Sequence, residues 1–289
     1  MNISFMGAGL MGCPMIQQLT KAGHQVTVFT RRPEQVAELT QISHQVSLDA
    51  GEVLAASEYT VLMLSDADAI GELVLNESTR SSLRGRYVIN MATISPSEAR
   101  EIKREIESAG GNFIECPVLG SIPEASAGRL ILMAGCSPEQ FEIVKPILSC
   151  FGPKPRYIGE VGKASALKLA MNQLIASLTS AFALSLGLVR EEGVGVDLFM
   201  DVLRDSALYA PTFDKKLQRM LGRDFDGPNF PVRHLLKDVR LFLESAREHS
   251  LDVRMLGAIG QVLEESVHDG LGDKDYSALY QVMHPVISS

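Results

Sequence analysis

The sequence predicts an α/β domain with a mostly parallel, doubly wound sheet, followed by an all-helical domain entered through one long helix. Three observations predict it. Short apolar runs alternate with helical patterns in the first half, at Ile3–Met6, Val26–Phe29, Tyr59–Leu64 and Tyr87–Met91. Such alternation is the signature of a parallel sheet wrapped by helices. Strand patterns then end after Phe113–Val118, Leu130–Met133 and Arg156–Ile158, and from Gly162 onward nearly every segment reads as helix. Finally, 289 residues exceed one ordinary core and suit two domains. We place these at 1–161 and 162–289, with the boundary near Gly159–Gly162.

The helical patterns of the second half run over 164–192, 196–205, 213–221, 235–249, 254–268 and 276–282. In the first half, Ser95-Pro96-Ser97-Glu98 combines a serine cap, a first-turn proline and a capping-box glutamate, which marks a helix start. Leu169 to Val189 carries no formal charge and is long enough to span a bilayer. Its polar residues, among them Asn172, Gln173, Thr179 and Ser180, would be costly in lipid, so a helix buried in a domain or at a subunit interface is expected instead of a membrane span. That uncharged surface also predicts a homodimer or homotetramer.

Composition narrows the function classes. A net charge of −8 argues against a broad nucleic-acid footprint and leaves small molecules as the expected partners. The cysteines Cys13, Cys116, Cys136 and Cys150 form no CxxC pair, and the six histidines show no metal-ligand spacing, so neither a disulfide framework nor a metal is expected. With no basic, apolar leader at MNISFMGAG, a cytoplasmic location is expected.

The chemistry begins at Gly7-Ala8-Gly9-Leu10-Met11-Gly12, a GxGxxG directly after an apolar strand and before the helical pattern 14–21. In that setting the first glycine permits the tight turn, the second lets backbone approach a pyrophosphate, and the third lets helix and strand pack closely. A Rossmann-type dinucleotide site follows. Roughly 20 residues on, where an NAD site offers Asp or Glu to the ribose, the second strand ends in Thr30-Arg31-Arg32. A guanidinium pairs with a 2′-phosphate, so NADP(H) is expected in preference to NAD(H). The alternative for this turn is a solvated basic loop.

With these residues in place the chain resembles the β-hydroxyacid dehydrogenase family, which includes 3-hydroxyisobutyrate dehydrogenases and glyoxylate and succinic semialdehyde reductases. The resemblance is carried by Gly7–Gly12, Lys21-Ala22-Gly23-His24, Asn90 to Pro96, Pro117-Val118-Leu119-Gly120-Ser121, Gly162, Lys168, Asn172 and Lys237-Asp238. It implies an oxidoreductase with a helical domain like that of 6-phosphogluconate dehydrogenase, acting on a small carbonyl or hydroxy substrate that bears a carboxylate. Lys168 would be the catalytic acid, since an ammonium can hydrogen-bond a carbonyl oxygen and protonate it as hydride reaches carbon. Asn172, four residues on along one helix face, would orient the substrate or the lysine. Leu119, Gly120, Ser121 and Phe230 would contact substrate. Met63, Leu64 and Ser65 at the end of the third strand, Thr93 after the fourth, and Lys237 would border the cofactor.

One position departs from the family pattern. Relatives carry serine where this chain has Leu119, which removes a hydroxyl from the substrate site and makes room for a less polar substrate. Ser121 is the candidate replacement. Two rival functions are an imine reductase on the same fold and a non-catalytic NADP-binding module; Lys168 speaks against both, because such relatives commonly carry another residue there.

Overall fold

The computed structural model describes residues 1–285, in two units, the first Met1–Lys168 and the second from Leu169 onward. Within the first, strands and helices alternate: β1 (Asn2–Met6), α1 (Gly12–Lys21), β2 (Gln25–Phe29), α2 (Val36–Thr40), β3 (Gln45–Ser47), α3 (Ala50–Ala55) and β4 (Tyr59–Leu62). Next come α4 (Ala67–Val74), β5 (Tyr87–Asn90), α5 (Pro96–Ser108), β6 (Asn112–Glu115), β7 (Val118–Leu119), α6 (Ile122–Ser126), β8 (Ile131–Gly135), α7 (Pro138–Leu148) and β9 (Arg156–Gly159).

The sheet is nine-stranded among the described residues, in the order β3-β2-β1-β4-β5-β6-β8-β7, with β9 beside β8. Strands β1 to β6 pair in parallel; β8 runs antiparallel to β6, and β7 antiparallel to β8. The order therefore reverses at β1, between β2 and β4, and ligands of open α/β sheets bind at such a point, beyond the carboxyl ends of the strands. The turn after β1 is Gly7–Gly12.

Apolar runs without alternation are what a sheet covered on both faces requires. Phe5, Val61, Ile89 and Ile114 pack into one core layer with Met15, Ile16 and Leu19 of α1, whereas their neighbours Met6, Leu62, Val88 and Phe113 face the other layer with Ile102 and Ile106 of α5. The predicted capping box is present: Ser95 Oγ accepts from Glu98 N–H at 3.1 Å, and Glu98 Oε2 accepts from Ser95 N–H at 2.6 Å. The predicted run Phe113–Val118 is two strands, because Pro117 has no N–H to continue a ladder and the chain turns there into β7.

Helix α8 (Lys163–Glu191) runs out of the first unit into the second. There follow α9 (Val196–Asp205), α10 (Pro211–Gly222), α11 (Val232–Glu248), α12 (Arg254–Ser266) and α13 (Leu279–Met283). The expected helix over 276–282 is split, a tight turn at Tyr276–Ala278 preceding α13, because the Asp275 carboxylate accepts from Ser277 N–H and caps that turn. The core of this unit gathers Phe182, Phe213, Leu235, Leu263 and Tyr280, with the Phe182 and Phe213 rings stacked 4.7 Å apart. Helix α8 has the length and the hydropathy of a membrane span, yet 44% of that apolar window is buried within the protein, and Asn172, Thr179 and Ser180 lie on its buried face.

An ion pair is buried in this second unit. Lys216 Nζ meets both oxygens of Asp275 at 2.8 and 2.9 Å and sits 4.2 Å from the centre of the Tyr276 ring. Burial pulls the lysine pKa down, and the Asp275 charge opposes that shift. Removing one partner strands a buried charge, so Asp275→Ala is expected to cost on the order of 3–5 kcal/mol. Urea unfolding followed by circular dichroism checks the value; a loss below about 1 kcal/mol, the range of exposed pairs, would contradict it.

Candidate functional site

The site starts with the turn after β1. Gly7 adopts φ +108°, and a Cβ on it would lie 2.1 Å from the Met63 carbonyl oxygen at the end of β4. A Cβ at Gly12 would lie 1.8 Å from the Gly7 carbonyl oxygen, so both glycines are fixed by close backbone packing. Gly9 differs: a Cβ there meets no atom within 4 Å. Its face is open, the form expected of the glycine that admits a pyrophosphate. Helix α1 begins at this turn with no side-chain cap and no acidic residue in its first turn, so its N–H groups and positive dipole end suit an anion. A dinucleotide fits these residues.

At the end of β2, Thr30 is buried and its hydroxyl shapes the turn, accepting from Arg32 N–H at 3.1 Å and donating to Gln35 Oε1 at 3.0 Å. Arg31 and Arg32 are exposed, and Arg31 reaches Glu72 of α4 at 3.8 Å. Met63 and Leu64 are half-buried and Ser65 exposed after β4, and Thr93 is half-buried after β5. All follow carboxyl ends of neighbouring strands, together with Ala8, the exposed Leu10 and Met11 of the β1 turn.

Leu119 ends β7, opposite Ile131 of β8, and is half-buried. Gly120 follows with φ +132°. Ser121 is engaged locally: its hydroxyl donates to Glu124 Oε2 at 2.7 Å and its backbone N–H donates to the same oxygen at 2.8 Å. The hydroxyl expected to replace the missing serine thus serves the start of α6.

Lys168 lies on the second turn of α8 and is 8% exposed, far less than an ordinary surface lysine. Sequence reasoning gave no role to two buried carboxylates, one in each unit. Glu115, last residue of β6 and fully buried, accepts from Gly162 N–H at 2.6 Å, Ala164 N–H at 2.9 Å and Ser165 Oγ at 2.5 Å, at the start of α8. Burial pushes its carboxyl up, and those hydrogen bonds oppose the shift. In the second unit, Asp238 of α11 is buried and accepts from Asn172 Nδ2 at 2.6 Å, with Lys237 Nζ 3.2 Å from its other oxygen. Asp238 therefore ties together two residues the sequence singled out. Phe230 stacks on His234, ring centres 6.5 Å apart, and meets Tyr276 edge-on at 5.9 Å. Burial pulls the His234 pKa down.

Against known proteins, the model for the NAD binding domain of 6-phosphogluconate dehydrogenase matches residues 2–159. That for the NAD-binding of NADP-dependent 3-hydroxyisobutyrate dehydrogenase matches 162–283. Glyoxylate/succinic semialdehyde reductase 1 of Arabidopsis thaliana is 31% identical over 98% of this chain and 98% of its own length. This chain belongs to the 3-hydroxyisobutyrate dehydrogenase family, within the β-hydroxyacid dehydrogenases. It is an NAD(P)-binding oxidoreductase acting on CH–OH groups. A second relative, 2-hydroxy-3-oxopropionate reductase of Escherichia coli strain K12, is 29% identical over 98% of this chain and 97% of its own. The solved 3-hydroxyisobutyrate dehydrogenase of Mycobacterium tuberculosis shares the fold, with a TM-score of 0.88 at 23% identity over 98% of each chain.

The glycine geometry of this family member separates folding from binding. Gly9→Ala is expected to leave thermal unfolding of the free protein unchanged while weakening NAD(P)(H) binding at least tenfold, about 1.4 kcal/mol. Gly12→Ala should itself destabilise by roughly 1–3 kcal/mol, because backbone must move. Calorimetry with and without the dinucleotide checks both; equal affinities for wild type and Gly9→Ala would refute the assignment.

Proposed function

We propose that this enzyme reduces a small aldehyde or keto acid of the glyoxylate, succinic semialdehyde or methylmalonate semialdehyde type, using NADP(H) in preference to NAD(H). The buried Lys168 carries the reading, for a lysine is seldom enclosed on a helix without a task. When bound, the reduced nicotinamide supplies hydride to the carbonyl carbon. Lys168 hydrogen-bonds the carbonyl oxygen and releases a proton to it as negative charge develops there. Asn172, held by Asp238, orients the substrate. The backbone at Leu119 and Gly120 receives the carboxylate end, Ser121 being occupied by Glu124. Phe230 and Lys237 supply the remaining substrate and cofactor contacts.

The cofactor preference is supported by the turn after β2, where Thr30, Arg31 and Arg32 stand and no carboxylate receives a ribose hydroxyl. The substrate class is supported by the names of the relatives from Arabidopsis thaliana and Escherichia coli. Leucine in place of the family's serine shifts the preference toward the less polar of these substrates.

We further propose a homodimer or homotetramer. Leu184 and Leu188 on α8 are 62% and 63% exposed, and Leu198 and Val202 on α9 are 61% and 64% exposed, each pair one turn apart. Apolar side chains in such register are the usual material of a subunit interface.

Two experiments test these statements. NADPH oxidation is followed with glyoxylate, succinic semialdehyde, methylglyoxal and 2-methyl-3-oxopropanoate for wild type, Lys168→Ala and Arg31→Ala/Arg32→Ala. Lys168→Ala is expected to lower kcat by about 10²–10⁴-fold. The double arginine variant should lose NADPH preference by at least about tenfold, since a charge-assisted hydrogen bond contributes about 1.5–3 kcal/mol. No turnover on any substrate, or turnover indifferent to Lys168, would overturn the mechanism; an unchanged NADPH preference would overturn the cofactor reading. In light scattering, Leu184→Glu/Leu188→Glu should move the mass toward the 31.4 kDa of one chain. A wild type already at that mass would end the oligomer proposal.

A further inference from the structure

The start of α8 is capped from another part of the sequence. A helix that begins inside a protein leaves its first N–H groups without intrahelical partners, and Ser, Thr, Asp or Asn at the preceding position normally satisfies them. Here that position is Gly162, with φ +101°, where a Cβ would lie 2.5 Å from Arg100 Nη1. The cap comes instead from Glu115, whose two oxygens take the Gly162 and Ala164 N–H groups and the Ser165 hydroxyl. The sheet leaves space for it: Gly135 stands opposite Glu115 in the β6–β8 ladder, and a Cβ there would lie 2.2 Å from Glu115 Oε1. Two glycines and one serine are thus arranged around a single buried carboxylate.

Ala164 and Lys168 are i and i+4 on α8, on the same face and one turn apart. Over one turn a helix is rigid, so the three bonds that fix the rotation of its first turn also fix the direction of Lys168. We propose that Glu115 is a positioning residue for the reductase reaction, holding the first turn of α8 so that Lys168 meets the carbonyl oxygen. This rests on the reading of Lys168 as the proton donor. Displacement of a reacting group by about 1 Å costs on the order of 10²-fold in rate.

The test compares Glu115→Ala, Glu115→Gln, Ser165→Ala and Lys168→Ala, using NADPH and the fastest aldehyde of the panel, together with hydrogen exchange of the peptide spanning 162–168. Glutamine keeps an acceptor oxygen for the two N–H groups and turns an N–H donor toward Ser165 Oγ, which can accept. It also removes a charge that burial disfavours, so the variant is expected to fold. Glu115→Ala should lower kcat on the order of 10- to 100-fold with an unchanged KM for NADPH, and its amides should exchange faster. Glu115→Gln should restore both, and Ser165→Ala should lower kcat less than Glu115→Ala at constant KM. Should Glu115→Ala fail to fold, the Gln and Ser165→Ala pair decides by the same readouts. Folded Glu115→Ala with wild-type kcat would overturn the proposal, as would Glu115→Gln slowed at constant exchange or Ser165→Ala with wild-type kcat and exchange. Wild-type turnover in Lys168→Ala would overturn the Lys168 reading itself, whatever Glu115 does; loss in Lys168→Ala with none in Glu115→Ala would overturn the positioning role alone.

Discussion

A helix beginning beside a sheet presents N–H groups that must find oxygen, and the first unit answers this constraint in three ways. Helices α3, α4, α5 and α7 take the common solution, with Asp49, Asp66, Ser95 and Ser137 accepting from their own first turns. Helix α1 takes none, since its start follows a glycine turn whose middle residue faces open space. Helix α8 is closed by Glu115 from across the sheet. One N-terminus is left open, as an anion that comes and goes requires, and another is closed by a side chain of the protein itself. The sheet order supplies both, because β1 ends at the point where the order reverses and β6 ends beside α8.

Much of this was legible in the sequence, and what was not has physical reasons. The parallel strands, the β1 turn and the Ser95 box rest on contacts within a few residues, so local pattern reveals them. Edge strand β3 was missed because Gln45-Val46-Ser47 holds one apolar residue and pairs on one side only. The helices α2 and α6 are five residues long and α4 eight, too short to repeat an apolar stripe over several turns. Roles set by distant pairing were invisible: Glu115 reads as the charged end of an apolar strand, and its partners lie 47–50 residues away. Asp238 sits in a motif the sequence showed, yet its bond to Asn172 crosses 66 residues. A signal for the first did exist, namely a helix start at Gly162 with no capping side chain of its own.

The second unit is held by different means. Its core is aromatic and aliphatic, but the join between α10 and the turn before α13 is the enclosed Lys216–Asp275 pair, with Asp275 also capping that turn. Such a pair contributes little net stability over an apolar equivalent, but once present it cannot lose one partner without leaving a buried charge alone. Asp238 plays a similar part on α11, accepting from the buried Asn172 amide, which would be costly without a partner, and lying 3.2 Å from the half-buried Lys237 ammonium.

The exposure of Arg31 and Arg32 has a consequence for how this enzyme can change. Both follow β2 on a turn organised by the buried Thr30 hydroxyl, and the contact of Arg31 with Glu72 joins two solvated side chains. No core layer includes either arginine. On the proposed reading of these arginines, substitutions that change which nucleotide is read fall on solvated side chains and leave both core layers of the sheet as they are.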